Sequence, residues 1–127
     1  MTHDEQEQLA RAFLSVLRTP DTDLIRRVAV EDVVWSFPGS TAISGIAHGA
    51  DGVIGRAQTI AAYGVNVEIM RAVFGHDGIA LMLHNTAERA GRVLDEYLAA
   101  VFSFRGDRIA RLDTYLSDVP MAEAFFG

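Results

Sequence analysis

The chain has 127 residues, half of them hydrophobic, which suits one ordinary domain with enough apolar material for a sizeable core. Seventeen acidic against eleven basic side chains leave a formal charge of −6 spread along the chain, which excludes the basic patch that a nucleic acid or an anionic membrane requires. There is no cysteine, so disulfides, a thiolate nucleophile and cysteine metal sites are excluded.

The opening segment MTHDEQEQ is polar and acidic, unlike a signal peptide, and no apolar run approaches the ~20 residues of a spanning helix. A soluble protein with the cytoplasm as its default location is the expectation. Residues 4–18 repeat apolar groups at helical spacing through Leu9, Phe13, Val16 and Leu17. Thr19-Pro20 reads as a cap and first position of a short second helix with Leu24, Ile25 and Val28 inward. Val33 to Phe37 is β-branched and aromatic, hence a strand, and Pro38-Gly39 ends it. A small-residue loop follows, then a third helix from about Asp51 to Tyr63, with Gly64 as its C-terminal cap.

Val65, Val67, Ile69 and Val73 open a meander of strands. His76-Asp77-Gly78 is a turn, Ile79–Glu88 a strand, Ala90-Gly91 the next turn. Val93–Phe104 and Ile109–Ser117 pair across Arg105-Gly106-Asp107, and a short helix from Pro120 to Phe126 closes the chain. Segregated helices and a meander predict one α+β domain over residues 1–127, not a doubly wound fold. A curved sheet wrapped on helices leaves a cavity between them. The stretch Trp35–Gly52, joining an aromatic strand end to a glycine-flanked helix entry, marks the mouth of that cavity.

Four segments carry a family resemblance: VVWSFPG (33–39), SGIAHGADGV (44–53), TAERAGRVLD (86–95) and RIARLDTYLSD (108–118). With the element order they make the chain similar, over nearly its whole length, to the SnoaL-like family of the nuclear transport factor 2-like superfamily, which includes ketosteroid isomerases, polyketide cyclases and limonene epoxide hydrolases. The resemblance implies a cone-shaped α+β fold, with a curved antiparallel or mixed sheet around the N-terminal helices enclosing an apolar pocket. It also implies a homodimer packed through the sheet. It fixes no reaction, because this superfamily spans isomerases, cyclases, hydrolases and non-enzymes.

Trp35 and Phe37 share a strand face and read as an aromatic wall for a flat apolar ligand, or equally as core packing. Phe37 stands where the resemblance implies an isomerase base, and Ala100 where it implies the oxyanion acid. Trp35 and Phe37 also occupy the water-holding positions of the epoxide hydrolases, and Asn85 and Ala87 cannot form those enzymes' ion pair. On strand 79–88, Leu83 and Asn85 point to the pocket, where Asn85 either donates to a carbonyl oxygen or is tied to backbone. Phe102 belongs to the same apolar face.

The remaining acid lies on the last strand. Matching the family through Gly106 puts Asp113 on the acid's position; matching through Ile109 puts Thr114 there. A one-residue slip exchanges faces, so both registers stay open. In the pocket, Asp113 would have a raised pKa and act as general acid or base; outside, it would be a solvated residue paired with Arg111. Tyr115, two residues on, shares its face, and Tyr63 is a further phenolic donor. His48, before the third helix, could relay protons or be a plain loop residue, whereas His84 faces the other way. The histidine spacing supports no metal site.

Two readings of different class follow. One is a cofactor-independent acid–base enzyme on a small apolar carbonyl compound (isomerase, cyclase or dehydratase), with Asp113 as the proton-transfer group and His48, Asn85 or Tyr115 assisting. The other is a non-catalytic ligand-binding or dimerisation module. An epoxide hydrolase ranks last. The direction of the Asp113 side chain discriminates the first two.

Overall fold

A computed structural model describes every residue, Met1–Gly127. Helix α1 (His3–Leu14) starts at Thr2, whose hydroxyl accepts the Glu5 N–H at 3.1 Å while the Glu5 carboxylate accepts the Thr2 N–H at 3.2 Å. This reciprocal cap starts the helix at the first turn, and a 3-10 turn at Ser15–Leu17 ends it. Helix α2 (Thr22–Val28) is capped by Asp21, not by the expected Thr19, because the Asp21 carboxylate accepts the Leu24 N–H at 3.1 Å.

Strand β1 (Ala29–Phe37) begins four residues before the aromatic run that announced it. Strand β2 (Gly45–His48) lies inside the expected loop; its small residues carry little strand propensity, and it exists because it pairs antiparallel with β1, from Val34↔His48 to Phe37↔Gly45. Helix α3 (Gly49–Ala62) follows, and Gly64, at φ +75°, turns the chain out of it with its N–H on the Ala61 carbonyl at 2.9 Å. The meander is β3 (Asn66–Phe74), β4 (Gly78–Arg89), β5 (Arg92–Arg105) and β6 (Arg108–Leu116), and helix α4 (Val119–Phe126) ends the chain. Between β4 and β5 the two-residue turn takes positive φ at both Ala90 and Gly91, the geometry whose twist matches a tight hairpin.

The six strands form one curved sheet in the order β2-β1-β6-β5-β4-β3. Only β1 and β6 run parallel; every other pair is antiparallel. The expected α+β class with a mixed, cone-shaped sheet around helices is the observed one. No helix is long and apolar enough to cross a membrane.

One irregularity in this sheet matters for everything that follows. Phe104 faces Ile109 across the β5–β6 ladder, but Ser103 faces Arg111, so β6 carries one extra residue at Ala110. Before this bulge the odd-numbered Ile109 is buried; after it the even-numbered Leu112 and Thr114 are. The bulge thus settles the open register in favour of Thr114 facing the helices and Asp113 facing out.

The core is one cluster of 26 buried residues between the inner sheet face and the helices. Phe13 of α1 stands at its centre, edge-on to Trp35 at 6.4 Å and to Phe102 at 5.7 Å between ring centroids. Burial of such a ring contributes about 2 kcal/mol. Arg56 of α3 is also buried, and its guanidinium donates to three backbone carbonyls: Trp35 at 2.6 Å, Gly45 at 3.1 Å and Ser44 at 3.3 Å. It also lies over the Trp35 ring at 5.1 Å, so one side chain ties the end of β1 to the start of β2.

Replacing Arg56 with leucine strands those carbonyls in an apolar setting and is expected to destabilise the fold by about 3 kcal/mol, read as a lowered urea midpoint at unchanged m-value.

Candidate functional site

The enclosed space under the sheet is small. Two adjoining cavities of about 20 and 30 Å³ share Phe37, Ile60, Asn85 and Leu98 in their linings. The first is completed by Glu96, Leu94, Leu116 and residues of α4; the second by Trp35, Thr114, Leu83 and Ala100. Each has room for about one water molecule. Three larger clefts open directly to solvent. The largest, about 460 Å³, holds Arg26 and Arg108 beside Glu31 and Asp51, so its charges oppose one another.

Glu96 is the residue that chain reading missed. It lies on β5 between Leu94 and Leu98, is 2 % exposed, and sits directly across the ladder from Asn85. Its Oε1 accepts the Asp118 N–H at 2.9 Å, at the N-cap of α4. Its Oε2 is buried without a partner, and so is Oδ1 of Asn85. No cation pairs with this carboxyl. Burial pushes its pKa up and the Asp118 charge adds to that, while hydrogen bonds from Asp118 and Ser117 pull only part of the way back. A signal was present: Leu94, Glu96, Leu98, Ala100 and Phe102 alternate as one strand face, with a single acid among apolar residues.

The expected ligand-contacting residues divide. Trp35, Phe37, Leu83, Asn85 and Thr114 do line the inner cavities. Trp35 is 3 % exposed and its indole N–H donates to the Thr114 hydroxyl at 2.9 Å, so both polar atoms are satisfied in the apolar interior. Phe102 is fully buried against Phe13 and lines an open cleft at the other end of the sheet instead. Tyr63 packs against Phe125 and Phe126, with its hydroxyl on the Phe126 carbonyl at 3.3 Å and Arg89 over its ring at 4.2 Å.

The two residues expected to carry proton transfer lie elsewhere. Asp113 is on the outer sheet face, where Ser36 Oγ donates to it at 2.5 Å and Arg111 Nε at 2.8 Å. Partial burial works upward on its pKa, but the hydrogen bonds from Arg111 and Ser36 and the Arg111 charge outweigh that and hold it below the usual carboxylate range. A strongly ionised, cation-paired carboxylate is a poor proton carrier. Tyr115 shares the outer face and is 62 % exposed. His48 is exposed at the lip of the largest cleft, and its side chain makes no capping bond to α3. His84, also outward, stacks on Tyr97 at 4.4 Å with Nε2 2.6 Å from Asp95. Nowhere do three His, Asp or Glu side chains gather as a metal ligand set.

No protein-family model matches the chain. Uncharacterised proteins of Mycobacterium bovis and Mycobacterium tuberculosis are 28 % identical to it over 130 residues, covering 99 % of both chains. Among solved structures, Bal32a from a soil-derived mobile gene cassette superposes at TM-score 0.82 with 23 % identity over 97 % of this chain and 99 % of that one. An NTF2-like protein from Burkholderia xenovorans gives 0.78 at 18 % identity over 98 % of each chain. TerC, co-crystallised with polyporic acid, gives 0.78 at 15 % identity over 97 % of this chain and 99 % of TerC. The fold is that of the nuclear transport factor 2-like proteins, as the sequence resemblance implied.

The two carboxyls predict opposite pH slopes. Glu96 has a raised pKa in the folded chain, so its contribution to stability is complete below the ordinary glutamate value of about 4.3 and is lost as pH rises through the raised value. Asp113 has a lowered pKa, so its contribution is present above the ordinary aspartate value and is lost on acidification through the lowered one. In urea titrations between about pH 2 and pH 8, Glu96→Gln is expected to remove the loss of stability on the alkaline side while leaving the acid-side loss in place.

Proposed function

We propose that the chain is a cofactor-independent acid–base enzyme on a small apolar carbonyl compound, with Glu96 in the role that Asp113 was expected to fill. The observation that carries this reading is a carboxyl 2 % exposed, without a cation, that turns one free oxygen into the interior beside Asn85. In such a setting burial favours the neutral, protonated form of the carboxyl, whose O–H is a donor for a carbonyl oxygen. The proton passes to that oxygen, and the resulting carboxylate takes one from the adjacent carbon. The carbonyl compound becomes its enol and Glu96 ends as it began. Asn85 Oδ1 accepts the hydroxyl of the enol that results, and Trp35, Phe37 and Leu83 exclude water from the exchange. Isomerisation, cyclisation and dehydration all begin from that enol. TerC, a neighbour of the same fold, was co-crystallised with polyporic acid, which supports an organic ligand for this fold.

The test needs no identified substrate. Incorporation of solvent deuterium next to the carbonyl is followed by NMR for a panel of cyclic ketones, enones and diketones. Glu96→Gln is expected to lower exchange by about a hundredfold or more, and His48→Ala to leave it within about twofold. Equal exchange by Glu96→Gln, or none with any compound, overturns the reading.

The second reading, a non-catalytic binding module, is favoured by the tie between Glu96 Oε1 and the Asp118 N–H, which gives the carboxyl a structural task of its own. It predicts that Glu96→Gln binds ligand with unchanged affinity and that no chain exchanges protons. A homodimer and a cytoplasmic location belong to the proposal as well; sedimentation velocity is expected to give twice the chain mass, and a monomer at micromolar concentration overturns the pairing.

A further inference from the structure

The inner cavities are too small for any ring compound, yet two unpartnered buried oxygens, Asn85 Oδ1 and Glu96 Oε2, belong to their lining residues. The space a ligand body would need lies just outside them. Strands β1 and β6 pair in parallel only as far as Ser36↔Asp113. Beyond that point Pro38 has no N–H for a ladder, and the strands part. In the gap is a cleft of about 390 Å³, bounded by Pro38, Ile46, Tyr115 and Val119, with Ser36 and Asp113 at its edge.

Three residues, Phe37, Thr114 and Leu116, line both this outer cleft and the inner space, so the wall between them is one residue thick. Phe37 alone borders all three cavities. Thr114 is held by the Trp35 indole, and Leu116 lies within the β5–β6 ladder opposite Leu98. Phe37 is the last residue of β1 and half-buried, and its partner across the ladder is Gly45, which has no side chain to hold the ring. It is the part of the wall that a rotamer change can move.

We infer that the chain binds its ligand in two chambers, with Phe37 as the partition between an outer cleft for the body and an inner space for a small polar head. The head is a hydroxyl or an enol. Such a group donates to Asn85 Oδ1 and accepts from the protonated Glu96 carboxyl, so it satisfies both orphan oxygens with one atom. The body is one or two rings, which a cleft of this size accommodates against Ile46 and Tyr115. The ligand is uncharged, because Asp113 in the cleft is neutralised by Arg111 and the pair offers no net charge to an anion or a cation. The head assignment rests on the acid–base reading of Glu96; the path past Phe37 does not.

The probe is 4-phenylphenol, a neutral two-ring compound with one hydroxyl, titrated calorimetrically into the full chain. Phe37→Ala is expected to bind it about tenfold tighter than the parent chain and Phe37→Trp about tenfold weaker. Emission from Trp35, the only tryptophan, is expected to quench as the probe fills the parent chain and Phe37→Ala. If Phe37→Ala loses its far-ultraviolet dichroism, Phe37→Leu takes its place, with about threefold tighter binding expected. Equal affinities across the Phe37 series, no binding by the alanine or leucine variant, or unmoved Trp35 emission overturns the two-chamber site. Glu96→Gln separates the two readings. A graded Phe37 series with undiminished proton exchange in Glu96→Gln upholds the path and removes the catalytic role. A flat series with exchange lost in Glu96→Gln does the reverse.

Discussion

The extra residue at Ala110 organises the interior. A strand alternates its faces with period two, so a single inserted residue exchanges every side chain beyond it. Past the bulge, Leu112 and Thr114 turn under the sheet and Asp113 and Tyr115 turn out. Thr114 then meets the Trp35 indole at 2.9 Å, which lets a tryptophan lie almost fully buried with its one donor satisfied. Trp35 in turn receives Phe13 against its edge and Arg56 over its face. On the outer side the same parity delivers Asp113 to Ser36 and Arg111. One residue of slack in a hairpin thus places both the aromatic wall and the ion pair.

Two charged side chains are buried, and they are resolved differently. Arg56 sits on a helix within reach of the carbonyls of Trp35, Ser44 and Gly45, so three acceptors stand in for water around the guanidinium. Desolvation lowers its pKa but leaves an arginine fully charged. Glu96 has a carboxyl that can instead become neutral, and only half of it is used by the fold. A group that can shed its charge and keep a free oxygen is suited to passing protons; one whose charge is permanent is suited to holding a loop. Their opposite fates follow from intrinsic pKa values as much as from position.

Most of the fold was legible along the chain. The helical apolar spacing and the turns at Gly64, Ala90-Gly91 and Gly106 are local, and local chemistry places them. Strand β2 was not legible, since Gly45-Ile46-Ala47-His48 has nothing of a strand except its pairing with β1. Of the candidate site, Trp35, Phe37, Leu83 and Asn85 could be placed by alternation, because β1 from Val33 onward and β4 keep one parity. Glu96 was open to the same argument on β5, but that it is buried without a cation follows from its contact with the start of α4.

Composition and periodicity alone were enough for the class of the fold, the inner face of β1 and β4 and the absence of cysteine chemistry, since these depend on residues near one another in the chain. Which acid enters the interior depended on contacts between residues far apart. The Ala110 bulge arises from how β6 meets β5, the burial of Glu96 from the closing of α4 over β5, and the thin wall at Phe37 from the point where β1 and β6 part. Each is a distance between segments that no window of sequence contains.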